Sequence, residues 1–187
     1  MLELSALGLL QKHPLHGYRL KQELELFMSS CISVNYGAIY PLLRRLQEQG
    51  NIAAIAPAED NTGISRRIYQ ITPKGRDRWH EKMLEHPPES WVNSRSRFAI
   101  KCFFFSELTA VERIKLIEHR RLKCRLRRAE LEDLSLPNDP YQSLLWEHHL
   151  ALLQAEIDWL DQLLKRELHL AEAPTQRSEE VQFSTSP

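Results

Sequence analysis

The chain has no excess charge of either sign: 25 Lys and Arg stand against 25 Asp and Glu in 187 residues. It is therefore not a polycation that would coat nucleic acid along its whole length. Cysteine is scarce as well. Cys31, Cys102 and Cys124 are odd in number and far apart, with no C-x-x-C pair. That spacing argues against a disulfide framework or a Cys-rich zinc site, and for reduced thiols in a cytoplasm. Glycine is sparse, six in all, and nowhere forms a phosphate-cradling loop. Neither H-E-x-x-H nor G-x-S-x-G occurs. His13 and His16 straddle a proline break, so they make no convincing metal set. His148 and His149 are adjacent and would point about 100° apart on a helix. The acidic pair Glu179-Glu180 lies in a polar C-terminal stretch and reads as solubility. No apolar run approaches the ~20 residues of a membrane span. Glu3 interrupts the first run, and no signal-peptide cleavage site follows. The chain is expected to be cytoplasmic, without enzymatic activity, metal or cofactor.

What is present centres on residues 35–50, NYGAIYPLLRRLQEQG. Ile39, Leu42, Leu43 and Leu46 recur at helical spacing and share one face, leaving Arg44, Arg45, Gln47 and Glu48 for the other. Asn35 suits an N-cap, and Gly50 suits the left-handed residue that ends a helix. Pro41 violates the pattern, because in a helix interior it clashes with the carbonyl four residues back, so a kink near Tyr40 is expected. Ile52 to Ile55, the turn-rich run Pro57 to Gly63, and Arg66 to Ile71 then read as a β-hairpin. Two helical segments precede this stretch, residues 2–11 and about 17–28, broken at His13-Pro14. In the second, Leu20, Leu24 and Phe27 share a side. The whole reads as a winged helix-turn-helix: three helices and a two-stranded β-wing. Thr72-Pro73 opens a further helix that His86-Pro87-Pro88 ends.

The remainder reads as all-helical. Phe98 to Phe105 is a buried apolar segment, and Thr109-Ala110-Val111-Glu112 is a capping box. The helix behind it should reach about Leu134, carrying Ile114, Ile117, Leu122 and Leu126 and a basic surface from Arg120 to Arg128. A last helix covers about 141–170. Its Trp146, Leu150, Leu153, Ile157, Leu160 and Leu164 form a heptad seam, expected to meet a partner helix of a second chain or of this one. The expected organisation is a winged domain at 1–86, a helical dimerisation and effector domain at 87–170, and a disordered tail at 171–187.

Charge is distributed unevenly over these parts. Residues 1–80 hold ten Lys and Arg against seven Asp and Glu, a small basic excess compatible with nucleic acid. On this scaffold the third helix would enter a major groove. Asn35, Tyr36, Ala38 and Tyr40 would then face base edges, with Arg44 nearer the phosphates. Arg66 and Arg67 of the wing point in opposite directions along a strand, so at most one turns back into the domain. Lys74, at the start of the next helix, would lie near a phosphate backbone. Trp79, Trp91, Trp146 and Trp159 suit core and interface packing, or a cavity for a flat aromatic effector. A protein-interaction adaptor that uses the winged domain without DNA is the alternative.

Several motifs together resemble the PadR family of transcriptional regulators. They are Leu7-x-x-Leu10 with Pro14-Leu15-His16-Gly17-Tyr18, Gly37 to Leu46, Gly50-Asn51-Ile52, and Arg66 to Gly75. The C-terminal part is similar in length, in helical pattern and in its Glu156-x-x-Trp159-Leu160 stretch to the subfamily with a large helical C-terminal domain. The resemblance implies a homodimer built by the C-terminal helices that binds a pseudo-palindromic operator in double-stranded DNA. It also implies repression of its own or a neighbouring gene, and release by a small-molecule or protein signal. Phenolic acids are effectors of some relatives. Pro41 is common in the family's motif, which implies that the helix tolerates it.

Overall fold

The structure is a computed structural model that describes residues 1–28, 36–55, 67–134 and 139–182; for Phe27, Met28, Tyr36 and 172–182 it describes the backbone. The chain divides into two compact units, Met1–Phe105 and Ser106–Pro187. In sequence the first domain ends at His86-Pro87-Pro88, yet the first unit extends beyond it.

The first unit begins with α1 (Leu2–Lys12), in which Leu4, Ala6, Leu7, Leu9 and Leu10 are all buried. After Pro14 comes a two-residue strand, β1 (Leu15–His16), and then α2 (Gly17–Met28). A 3-10 turn (Tyr36–Ala38) leads into α3 (Ile39–Glu48), followed by β2 (Ile52–Ile55) and β3 (Ile68–Ile71). The sheet is antiparallel in the order β1-β3-β2, with Ile52 opposite Ile71, Ala54 opposite Tyr69, and Leu15 also opposite Tyr69. β1 makes the wing three-stranded, where the sequence shows only two strands. Two residues carry no readable alternation.

The α3 helix differs from expectation at its start. Pro41 is its third residue, in the first turn, where backbone N–H groups have no intrahelical partner. Its missing donor therefore costs no hydrogen bond, and no kink is needed at Tyr40. The N-cap is Ala38; Asn35, expected there, lies outside the described residues. The C-terminus matches the pattern. Gly50 has φ +73, its N–H donates to Gln47 O at 2.9 Å, and Asn51 N–H donates to Leu46 O at 2.8 Å. This is the Schellman closure.

The next helix, α4 (Pro73–Leu84), starts as expected: the Thr72 hydroxyl accepts from Gly75 N–H at 3.0 Å, with Pro73 in the first position. Thr72 also donates to Gly50 O or Asn51 O, tying α4 to the α3–β2 corner. A Cβ on Gly75 would collide with the Asn51 carbonyl, so the approach is too close for any other residue. α5 (Trp91–Phe103), capped by Ser90, packs into this unit. Phe104 lies edge-on to Trp79 and covers Gly8 so closely that a Cβ there would overlap its ring. Arg97 binds Glu85 and Glu89, and Lys101 donates to Glu85 O at 2.6 Å. These contacts fasten α5 to the end of α4. Burial, with the nearby Arg97 guanidinium second, pulls the Lys101 ammonium down to about 8.

The second unit is a helical hairpin of α6 (Ala110–Glu132) and α7 (Pro140–Gln182). Thr109 and Glu112 form the expected capping box. Ion pairs run antiparallel along the hairpin: Arg113 with Glu167, Arg120 with Glu156, and Arg121 and Arg125 with Asp161. The expected basic surface at Arg120 to Arg128 is thus turned in good part toward the acids of α7. Leu122 and Leu126, by contrast, are half exposed. Leu153, Ile157, Leu160 and Leu164 are buried within the single chain, packed along α6, while Trp146 and Leu150 are half-buried. The heptad seam is therefore closed inside the hairpin over those four residues. The α7 backbone passes Ala171, the start of the expected tail, and remains helical to Gln182. Propagating a formed helix costs far less than nucleating one. Among the described residues no helix is long and apolar enough to cross a membrane.

Candidate nucleic-acid interface

The amphipathic split of α3 is complete. Ile39, Leu42, Leu43 and Leu46 are buried at 6% exposure or less, which forces the opposite face outward. On that face Tyr40 is 58% exposed, and Arg44 follows one helical turn later. Arg44 Nε donates to Glu48 at 2.9 Å, with side chains 83% and 62% exposed. A pair so open to water is worth a few tenths of a kcal/mol at most, and it yields readily to a phosphate. Among the described residues the Tyr40 hydroxyl has no hydrogen-bond partner.

Arg45 behaves differently. Its Nη2 donates to Glu3 Oε2 at 3.3 Å, and the other oxygen of the same carboxylate accepts from Arg78 Nε at 3.3 Å. Lys82 lies 3.6 Å from that oxygen. Glu3 thus gathers cations from α3 and α4, and holds Arg45 toward α1. The Arg78 guanidinium is raised above its usual range, first by its hydrogen bond to Glu81 and then by the one to Glu3. Glu3 in sequence only interrupts an apolar run, and nothing there signals this role.

Lys74 donates to Gln49 O at 2.9 Å, at the carbonyl end of α3, where the helix dipole favours a cation. Its two remaining donors are free to turn outward, so capping does not exclude a phosphate. Arg67 is exposed and immediately precedes β3, whose Ile68 pairs with both Ile55 and His16. That register brings Arg67 beside the β1–α2 corner. At this corner His16 Nδ1 accepts from Arg19 N–H at 3.1 Å, capping α2, and its ring stacks near Tyr18. Gly17 follows, and the Tyr40 ring lies against it. The wing and the start of α3 therefore converge at one corner, bringing together Tyr40 and Arg67; Arg44 and Lys74 lie further along α3.

Ala38 is half-buried and Tyr36 opens the 3-10 turn, so the turn shares its place between core and surface. Asn35 and Arg66 lie outside the described residues. The contact of Gly17 with Tyr40 is not legible in the sequence. The only sequence signal of Gly17 is its place in the His16-Gly17-Tyr18 run. Among the described residues no group of His, Cys, Asp and Glu could hold a metal.

Residues 6–81 match the Transcriptional regulator PadR-like family, and residues 94–166 match the Virulence activator alpha C-term family. Among solved structures, Bacillus subtilis PadR in complex with operator DNA is 23% identical, with 89% of this chain and 98% of that one covered and a TM-score of 0.45. The same protein in complex with p-coumaric acid gives 23% identity, the same coverage and a TM-score of 0.41. A PadR-like transcriptional regulator of Bacillus cereus, BC4206, is 32% identical over 43% of this chain and 75% of its own, with a TM-score of 0.37. No curated protein matches the chain.

Proposed function

We propose that this chain, a member of the PadR-like family of transcriptional regulators, is a cytoplasmic homodimer that binds a pseudo-palindromic operator and represses its own or a neighbouring gene. The observation that carries the reading is the outward face of α3. On a PadR-like domain it presents Tyr40, with an unpartnered hydroxyl among the described residues, beside a loosely paired Arg44 and next to the wing residue Arg67. This combination suits base readout flanked by phosphate contacts. Asn35, Tyr36, Ala38 and Arg66 remain assigned to the same interface, with Lys74 as a phosphate contact at the far end of α3.

The dimer surface is assigned to the outer face of α7. Leu153, Ile157, Leu160 and Leu164 are occupied by α6, which leaves Trp146 and Leu150 only partly available. Tyr141, Leu145, Leu152 and Trp159 recur at four- and seven-residue spacing along another face of α7, 81%, 54%, 40% and 46% exposed. Such a stripe on a charged hairpin is an apolar surface in need of cover.

A small aromatic effector is the signal that best fits the first unit. Trp79 is 2% exposed, its indole N–H has no acceptor among the described residues, and Phe104 packs against it. A flat acid with a hydrogen-bond acceptor would satisfy that donor.

Selection of duplexes from random sequence by the full-length protein tests the central reading. An inverted repeat with half-site centres ~10 base pairs apart, or a multiple of that, is expected for two α3 helices on one face of DNA. A single unrepeated site would remove the dimer from the reading. Failure to enrich any duplex would leave a winged-helix protein adaptor.

A further inference from the structure

We propose that Gly17 is a positioning residue for sequence readout: its missing side chain forms the seat that orients the Tyr40 ring. The inference rests on the assignment of Tyr40 to the DNA-facing surface.

Gly17 is the first residue of α2 and is buried. A Cβ at this position would stand 3.0 Å from Tyr40 Cε1, 3.7 Å from Tyr40 Cδ1 and 3.4 Å from Leu43 Cδ1. One edge of the ring therefore rests on the bare α2 backbone. The backbone itself does not require glycine here, because Gly50 is the only described glycine with positive φ. Nor does helix propensity, since alanine is the better residue in a helix. What glycine uniquely supplies is the space beneath Tyr40.

A methyl group at Gly17 must displace one of its two neighbours. Leu43 is fully buried, whereas Tyr40 is 58% exposed. The ring is the group that yields. A shift at the ring edge is carried to the hydroxyl, and hydrogen bonds to base edges tolerate little misplacement. The seat also limits the orientations Tyr40 samples before binding, so less ordering is left for the encounter with DNA.

The test is a double-mutant cycle in the full-length protein. Gly17→Ala, Tyr40→Ala and the double variant are titrated against the duplex that wild type selects and against an unrelated duplex of equal length. Gly17→Ala is expected to lower affinity for the selected duplex about tenfold, the scale of one base contact. Affinity for the unrelated duplex and the salt slope should not change, and the thermal midpoint should be equal or higher. In the Tyr40→Ala background, Gly17→Ala should change affinity less than about twofold, because no ring is left to displace. An equal loss in both backgrounds overturns the seat while the DNA reading stands. Loss on both duplexes with a lower midpoint overturns it too, making Gly17 a folding residue. A wild type that prefers no duplex overturns the DNA reading and the seat with it.

Discussion

Arg120 of α6 donates to Glu156 of α7 at 2.8 Å, and the two side chains retain only 3% and 12% of their exposure. A pair so withdrawn from water is costly to break, because removing one partner strands the other as a buried charge. Arg120→Ala is expected to destabilise the chain by ~3–5 kcal/mol in chemical denaturation. Replacing both residues with apolar ones of similar volume should cost much less. A single substitution as mild as the double one would mean that water reaches the pair.

The two faces of α7 should respond differently to charge. Leu160→Asp places a carboxylate at a fully buried position inside the hairpin and should lower the thermal midpoint sharply. Leu152→Asp, on the outer stripe, should leave the midpoint of each chain nearly unchanged and shift light-scattering mass from dimer to monomer. Dissociation by Leu160→Asp of an otherwise folded chain would give the seam an intermolecular role, one of the two that its spacing allows.

At α7 the sequence and the structure part most informatively. From Leu153 to Leu164 the heptad pattern coincides with a covered face, but periodicity records only that a face is covered, not by which helix. The charges of α6 mislead for a related reason. Arg120 to Arg128 resembles a solvated face until the acids of α7 are placed opposite it, and those lie some 36 to 40 residues away. Lys101 is hidden in the same way, inside a run of phenylalanines. The apolar face of α3, the Thr72 cap, the Thr109 box and the Gly50 closure are all legible because each is decided within one or two helical turns. Pro41 is legible as a helix breaker, yet whether it kinks a helix depends on a boundary that patterns fix only loosely. That Tyr40, Arg44, Arg67 and Lys74 reach the surface is legible from sequence; the contact of Gly17 with Tyr40 is not.

Lys101 makes stability depend on pH in a definite direction. Its ammonium is depressed from 10.5 to about 8 in the folded chain, chiefly by burial. Between those values the unfolded chain holds the proton and the folded chain does not, so stability rises with pH there. Below about 8 both states are protonated and the full desolvation cost is present. Compared with Lys101→Met, wild type should gain ~1 kcal/mol between about pH 8 and pH 9 in urea titrations. The variant removes the hydrogen bond to Glu85 O at every pH, so only the change in the difference matters. A difference independent of pH would place the Lys101 head in water.

Wing and helix contacts should separate by their salt dependence. Arg67→Ala should weaken binding to all duplexes alike and reduce the log–log salt slope by ~0.9 for each phosphate it no longer neutralises. Tyr40→Ala should leave the slope in place and blunt the preference for the selected duplex. An Arg67→Ala protein with unaltered affinity and slope would remove the wing from the interface.

The central claim is that the outward face of α3 and the wing bind DNA. The most direct test is titration of the full-length protein against the fragment just upstream of its own coding sequence, at two salt concentrations, beside an unrelated fragment. The predicted result is tight binding to the upstream fragment, weaker binding to the other, and a steep loss of both as salt rises. Equal, weak binding to the two fragments, or none at either salt concentration, would contradict it.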